Sequence, residues 1–188
     1  MTELVKTIIV TEDIRLKQLE LSDANEMFTT IDRQRDYLGK WLPFVAFTID
    51  VSDSEDYIRS VLAVPAEKGD FVFVIRYKGD FAGLIGFKNT DKLNRKAEIG
   101  YWLSEPCQKK GIITSSVTAV MRFAFEEMNI NRVQIRCAVG NFPSKSVPQR
   151  LGFRFEGIER DGELLTGNRF TDIEVYSLLK NEFLSAGN

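Results

Sequence analysis

The sequence predicts an α+β fold in a single domain, residues 1–188: a mixed sheet of about seven strands, mostly antiparallel, with one parallel pair and flanking helices. Three observations predict it. Apolar runs rich in β-branched and aromatic residues at 71–77, 81–88 and 97–103 are separated only by short polar breaks, the pattern of an antiparallel meander. A strand, a helical stripe and a second strand then follow over residues 97–139, and a right-handed crossover of that kind makes its two strands parallel neighbours. A chain of 188 residues suits one domain with a substantial core.

Taken in order, residues 7–19 read as a strand pair or one bent strand, interrupted at Glu12 and Asp13. Ser22 is a candidate N-cap for a helix with Ala24, Met27, Phe28 and Ile31 on one face. Residues 37–44 follow, rich in aromatics and broken by Gly39 and Pro43. Tyr37, Trp41 and Phe44 there are either core contacts of a short helix or one side of a substrate pocket, since pockets are lined mostly by such residues. Ser52 with Glu55 has capping-box spacing, and Tyr57, Ile58, Val61 and Leu62 form a helical stripe that Pro65 and Gly69 end.

Lys78-Gly79-Asp80 joins the first two meander strands as a β-hairpin. Residues 112–128 carry Ile113, Val117, Val120, Met121, Ala124 and Phe125 at helical spacing, and residues 132–139 are the second strand of the crossover. A short helix over 144–151, a strand over 153–158, a polar turn at Asp161-Gly162-Glu163 and a last strand over 170–179 follow, and only the last few residues read as a loose tail. The last strand is a candidate edge for a homodimer.

Composition excludes several function classes. The 25 basic and 27 acidic residues are interspersed and give a net charge of −2, so no basic face for nucleic acid is expected. Residues 1–6 have neither a basic nor an apolar leader character, and no apolar run approaches the length of a membrane span, so a cytoplasmic protein without membrane contact is expected. There is no histidine, and the two cysteines, Cys107 and Cys137, lack C-x-x-C spacing. A zinc finger and any nucleophile mechanism built on histidine are thereby excluded, and no metal is expected. Proton transfer falls to carboxylates, hydroxyls, lysine, a thiol or water.

Two stretches carry chemistry. Between the strand at 97–103 and the helix from Ile112 lies Gln108-Lys109-Lys110-Gly111-Ile112-Ile113-Thr114. Gly111 lets the backbone turn without a Cβ, so that the unpartnered amides of the first helical turn point outward, and the two lysines add positive charge. An anion such as a pyrophosphate suits that place, although a solvated loop has the same composition. After the second parallel strand stands Asn141-Phe142-Pro143-Ser144, running on to Gly152-Phe153, which by itself reads as a helix with Ser144 as N-cap and Gly152 as its stop.

Together, residues 108–113 and the N-x-x-S…G-F pattern of 141–153 resemble, in the right order and on the right elements, the two motifs of the GNAT acetyltransferases. The branch resembled is the one that acetylates ribosomal protein N-termini at serine or alanine, and Ile113 departs from the Gly or Ala common in the wider family. The resemblance implies that the strands at 98–103 and 132–139 splay apart and hold acetyl-CoA as co-substrate. Its pantetheine arm would pair with amides near Tyr101, Trp102 and Leu103 and with Asn141, and its pyrophosphate would sit on residues 108–114. The family's usual tyrosine acid, seven residues after Asn141, is here Pro148. The resemblance instead implies Ser144 as the proton donor to the departing thiolate and Glu163 as a base acting through water, with Glu98 as the rival base.

With no histidine, the acceptor leans toward a low-pKa amine: an α-amine titrates at ~7.7–8.0, a lysine at ~10.4. The function expected is N-acetyl transfer from acetyl-CoA directly to a protein N-terminus. A polyamine or aminoglycoside acceptor is the alternative, with Asp32, Asp36, Asp50, Asp53, Glu55 and Asp56 available to a pocket dense in carboxylates. A non-catalytic acyl-CoA-binding module is a third reading.

Overall fold

The computed structural model describes residues 7–186; residues 1–6, read above as lacking a leader, and residues 187–188 lie outside them. An eight-stranded mixed sheet forms the frame, one strand more than expected. The strands are β1 (Thr7–Ile9), β2 (Ile14–Gln18), β3 (Val72–Tyr77), β4 (Asp80–Asp91), β5 (Lys96–Leu103), β6 (Arg132–Ala138), β7 (Arg154–Leu165) and β8 (Arg169–Leu179), in spatial order 1-2-3-4-5-6-8-7. Residues 7–19 are thus a strand pair. Among the described residues only β5 and β6 are parallel, and they pair at just three rungs, from Lys96 with Arg132 to Glu98 with Gln134. Beyond Glu98 the two strands part, while β5 stays paired with β4 as far as Leu103 and β6 with β8 as far as Ala138.

Alternation along the strands sends side chains to two cores. Phe73, Ile75, Ile85 and Ile99 face α4 (Ile112–Glu126), which contributes Val117, Val120, Met121 and Phe125. Val74, Leu84 and Trp102 face the other side, against α1 (Ala24–Asp32), α2 (Arg35–Leu38) and α3 (Val51–Leu62). α5 (Phe142–Arg150) packs on the α4 side through Val147, and α6 (Lys180–Ala186) closes the described chain with Phe183 against Phe125. The helix α6 follows the last strand because Phe183 has an apolar partner.

Other expectations shift. β8 lies between β6 and β7, so residues 170–179 are no edge strand; the free edge at that end of the sheet belongs to β7. The polar turn expected at residues 161–163 is part of β7, where a register shift between Glu159 and Glu163 accommodates Asp161 at φ +49°. Glu20 and Asp23, not Ser22, form the capping box ahead of α1, and Asp50 with Asp53 caps α3 in place of Ser52 with Glu55.

Candidate active site

The splay of β5 from β6 opens a cleft of about 380 Å³ between the two cores. Its walls come from four places: α2 and the following turn (Tyr37, Leu38, Trp41, Leu42), the end of β5 (Tyr101, Trp102, Leu103), the loop into α4 (Cys107, Gln108, Lys109, Gly111, Ile112, Ile113, Thr114) and α5 with its approach (Asn141, Pro143, Ser144, Ser146, Val147, Arg150). Because β6 has diverged, the β6-facing backbone groups of β5 beyond Glu98 have no strand partner and border this cleft.

The anion end is built by backbone conformation. Lys109 and Gly111 both take left-handed φ, +60° and +73°, and a Cβ at Gly111 would meet nothing within 4 Å, so glycine serves conformation there and not space. The first amide of α4 to bond back is Ser115, to the Gly111 carbonyl at 3.0 Å, and no side chain caps the helix. The amides of Ile112, Ile113 and Thr114 are therefore left for a ligand at the positive end of a 15-residue helix. Arg150, which sequence reasoning missed, adds a guanidinium: it donates to Thr114 Oγ1 at 2.8 Å and to Ser146 Oγ at 2.7 Å, bridging the starts of α4 and α5. Its signal was helical spacing, since Pro143, Ser146, Val147 and Arg150 fall on one stripe of α5. Leu38 and Leu42 were likewise missed beside Tyr37 and Trp41.

Asn141, not Ser144, is the N-cap of α5, its side chain accepting from the Ser144 N–H at 3.3 Å. That leaves the Ser144 hydroxyl free of capping, 3.4 Å from the Tyr101 hydroxyl. Burial raises the Tyr101 phenol well above its ordinary value, so it stays protonated across physiological pH. Burial also pushes the Cys107 thiol up, which makes it an unreactive wall residue. At the opposite side the Gln108 amide donates to the Tyr37 hydroxyl, joining the anion loop to α2, and Gln34 ties the same region to Ser104 and the Glu105 amide.

Four expected site residues lie outside the walls. Lys110 turns away from the cleft, its ammonium 5.3 Å from the Tyr77 ring centre, because the left-handed Lys109 redirects the chain. Phe44 is the second residue of the short turn Pro43–Ala46 and is 37% exposed. Glu98 is buried at the apex of the splay, 2.9 Å from Lys88 Nζ and accepting from Gln134 Nε2 at 3.2 Å. Glu163 is exposed on β7, opposite Thr171 on β8, although the tip of that hairpin touches the turn after α2, Thr166 Oγ1 donating to the Gly39 carbonyl at 3.4 Å. Nor do the six carboxylates of the polyamine alternative reach the cleft: Asp50 and Asp53 cap α3, Asp32 and Glu55 bind Arg35 and Arg59, and Asp36 and Asp56 are not among the walls. Among the described residues no group of acidic, cysteine or histidine side chains is arranged to hold a metal.

Open strand amides, apolar walls and a cationic helix start together fit the amide arm and pyrophosphate of a coenzyme A thioester. Comparison with known proteins agrees. Residues 13–154 match the acetyltransferase (GNAT) domain family. YdaF of Bacillus subtilis, provisionally named a ribosomal N-acetyltransferase, is 38% identical over 181 residues, covering 94% of this chain and 97% of its own. The ribosomal-protein-serine acetyltransferase of Escherichia coli is 26% identical over 174 residues, covering 93% and 97%. The crystal structure of the microcin C7 self-immunity acetyltransferase MccE with acetyl-CoA and AMP superposes with a TM-score of 0.88 at 30% identity, over 93% of this chain and 97% of that one.

Proposed function

The chain belongs to the GNAT acetyltransferase family and is an acetyl-CoA-dependent N-acetyltransferase, and from that premise we propose that its acceptor is the N-terminal α-amine of a protein, in the first place a ribosomal protein. The observation that carries the acceptor assignment is the absence of carboxylates from the cleft walls among the described residues. A polyamine brings two or more positive charges that need acidic partners when desolvated. The side of the cleft formed by Tyr37, Leu38, Trp41 and Leu42 instead offers apolar and aromatic surface. A single amine with a pKa of ~7.7–8.0 enters such a site partly neutral and needs little help to become a nucleophile.

In this reading the amine attacks the thioester carbonyl, and a free backbone amide at the end of β5 stabilises the charge that develops on oxygen. The Ser144 hydroxyl donates its proton to the departing sulfur. The proton released by nitrogen leaves through water toward Glu163, the glutamate on the hairpin that touches the acceptor-side loop. Lys109, Gly111 and the α4 amides hold the pyrophosphate, with Arg150 beside them. Release of CoA thiol tests the acceptor class. Peptides beginning Ser, Ala or Thr are expected to support turnover and their α-blocked forms none, whereas turnover confined to spermidine or an aminoglycoside would overturn the assignment.

A further inference from the structure

Pro148 stands inside α5 and has no N–H, so the Ser144 carbonyl four residues earlier loses its helical partner. A second element supplies the missing donor. The Tyr101 hydroxyl, from the far side of the splay, donates to that carbonyl at 3.0 Å and lies 3.4 Å from the Ser144 hydroxyl, from which it accepts. Tyr101 is three residues past the last β5–β6 rung and on the α4 side of the sheet, while its neighbour Trp102 packs among the residues of the other core. One phenol thus reaches from β5 to α5 and engages both oxygens of a single residue on the opposite wall.

We infer that Tyr101 is the positioning residue for Ser144: it fixes the first turn of α5 across the splay and holds the serine oxygen in place, and the serine proton that the phenol accepts at rest turns to the sulfur as the thiolate departs. The inference rests on the reading of Ser144 as proton donor. In the step, the serine O–H bond breaks as the S–H bond forms, and the proton that nitrogen passed through water to Glu163 returns through water to the serine oxygen, so Glu163 ends ionised and protons balance one for one. The phenol is kept neutral by burial, so it orients the serine without adding charge beside the developing thiolate.

The test is a set of variants assayed for kcat and KM on a Ser-initiated peptide, with thermal melting and CoA affinity as checks on folding. Tyr101→Phe is expected to lower kcat about tenfold or more, a fraction of the ~10²–10⁴-fold typical of a proton donor. KM for acetyl-CoA should stay within about threefold. Ser144→Ala should lower kcat at least as far, and the double variant no further, because the two act as one unit. Pro148→Ala restores an N–H to the Ser144 carbonyl, so Tyr101→Phe combined with Pro148→Ala keeps the turn satisfied even if the single variant folds poorly; its kcat is expected to stay low. Recovery of wild-type kcat in that combination would reduce Tyr101 to a structural contact and overturn the inference, as would additive losses or a normal kcat in Tyr101→Phe. Normal turnover by Ser144→Ala would instead remove the premise about Ser144.

Discussion

Lys88 and Glu98 face each other across β4 and β5, Nζ to Oε1 at 2.9 Å, at the last rung before β5 and β6 diverge. Glu98 also accepts from Gln134, its register partner on β6, so one carboxylate joins three strands at the apex of the splay. A glutamate held in this way ties three strands together. Glu98→Gln should therefore cost about 1–2 kcal/mol of stability, the range for a charged hydrogen bond whose lysine partner can return to water. Denaturant unfolding reads the loss, and kcat should stay within about twofold. Glu163→Gln is expected to do the reverse: little change in unfolding, and a fall in kcat/KM of about tenfold on a peptide acceptor.

The anion end predicts a separation of binding from chemistry. Arg150→Ala should weaken CoA about three- to tenfold, with a shallower dependence of affinity on salt, because one exposed charge-assisted contact is lost. Gly111→Ala places a Cβ in open space but in a left-handed backbone, at a cost of about 1–2 kcal/mol. Titration calorimetry with CoA checks both, and kcat at saturating acetyl-CoA should be nearly unchanged.

Rate against pH should follow the acceptor. If nitrogen must be neutral to attack, kcat/KM for a peptide rises with pH and levels off near the α-amine pKa of ~7.7–8.0. A peptide whose α-amine is made less basic should carry the midpoint down with it. A midpoint that stays fixed when the amine changes would assign the ionisation to the enzyme.

Acid sensitivity should come in part from the outer strands. Arg132, hydrogen-bonded to Glu156 at 2.6 Å, pulls that carboxyl down to about 2, helped by Ser177. Since its folded value lies below the unfolded one, its stabilisation is present above about pH 4.5 and is lost as pH falls toward 2. The gap in melting temperature between the native chain and Glu156→Gln should thus narrow over that interval. The side chain is more than a third exposed, so salt should shrink the gap as well.

What the sequence made legible was whatever repeats at short range. The meander, the crossover and the stripe on α4 follow from periodicities of two and 3.6, and the helix start at Ile112 from Gly111. Caps were displaced by two or three residues because several capping residues sit in a row: Asp50 and Asp53 have the same spacing as Ser52 and Glu55, and Asn141 precedes Ser144 by one cap length. The order of the last strands was hidden, since which strand inserts beside β6 is a long-range pairing that alternation does not encode. Within the site, sequence marked the loop but not the side-chain directions: Lys109 lines the cleft and Lys110 leaves it, and only the backbone angles of the turn separate them. The Tyr101–Ser144 contact joins residues 43 apart and had no local signal.

The most direct test of the acceptor assignment uses one peptide that begins with Ser and carries an internal lysine, incubated with the protein and acetyl-CoA and then fragmented by mass spectrometry. A single acetyl group on the α-nitrogen, with the lysine unmodified, is the predicted result. Acetylation of the lysine in preference to the N-terminus would contradict the account.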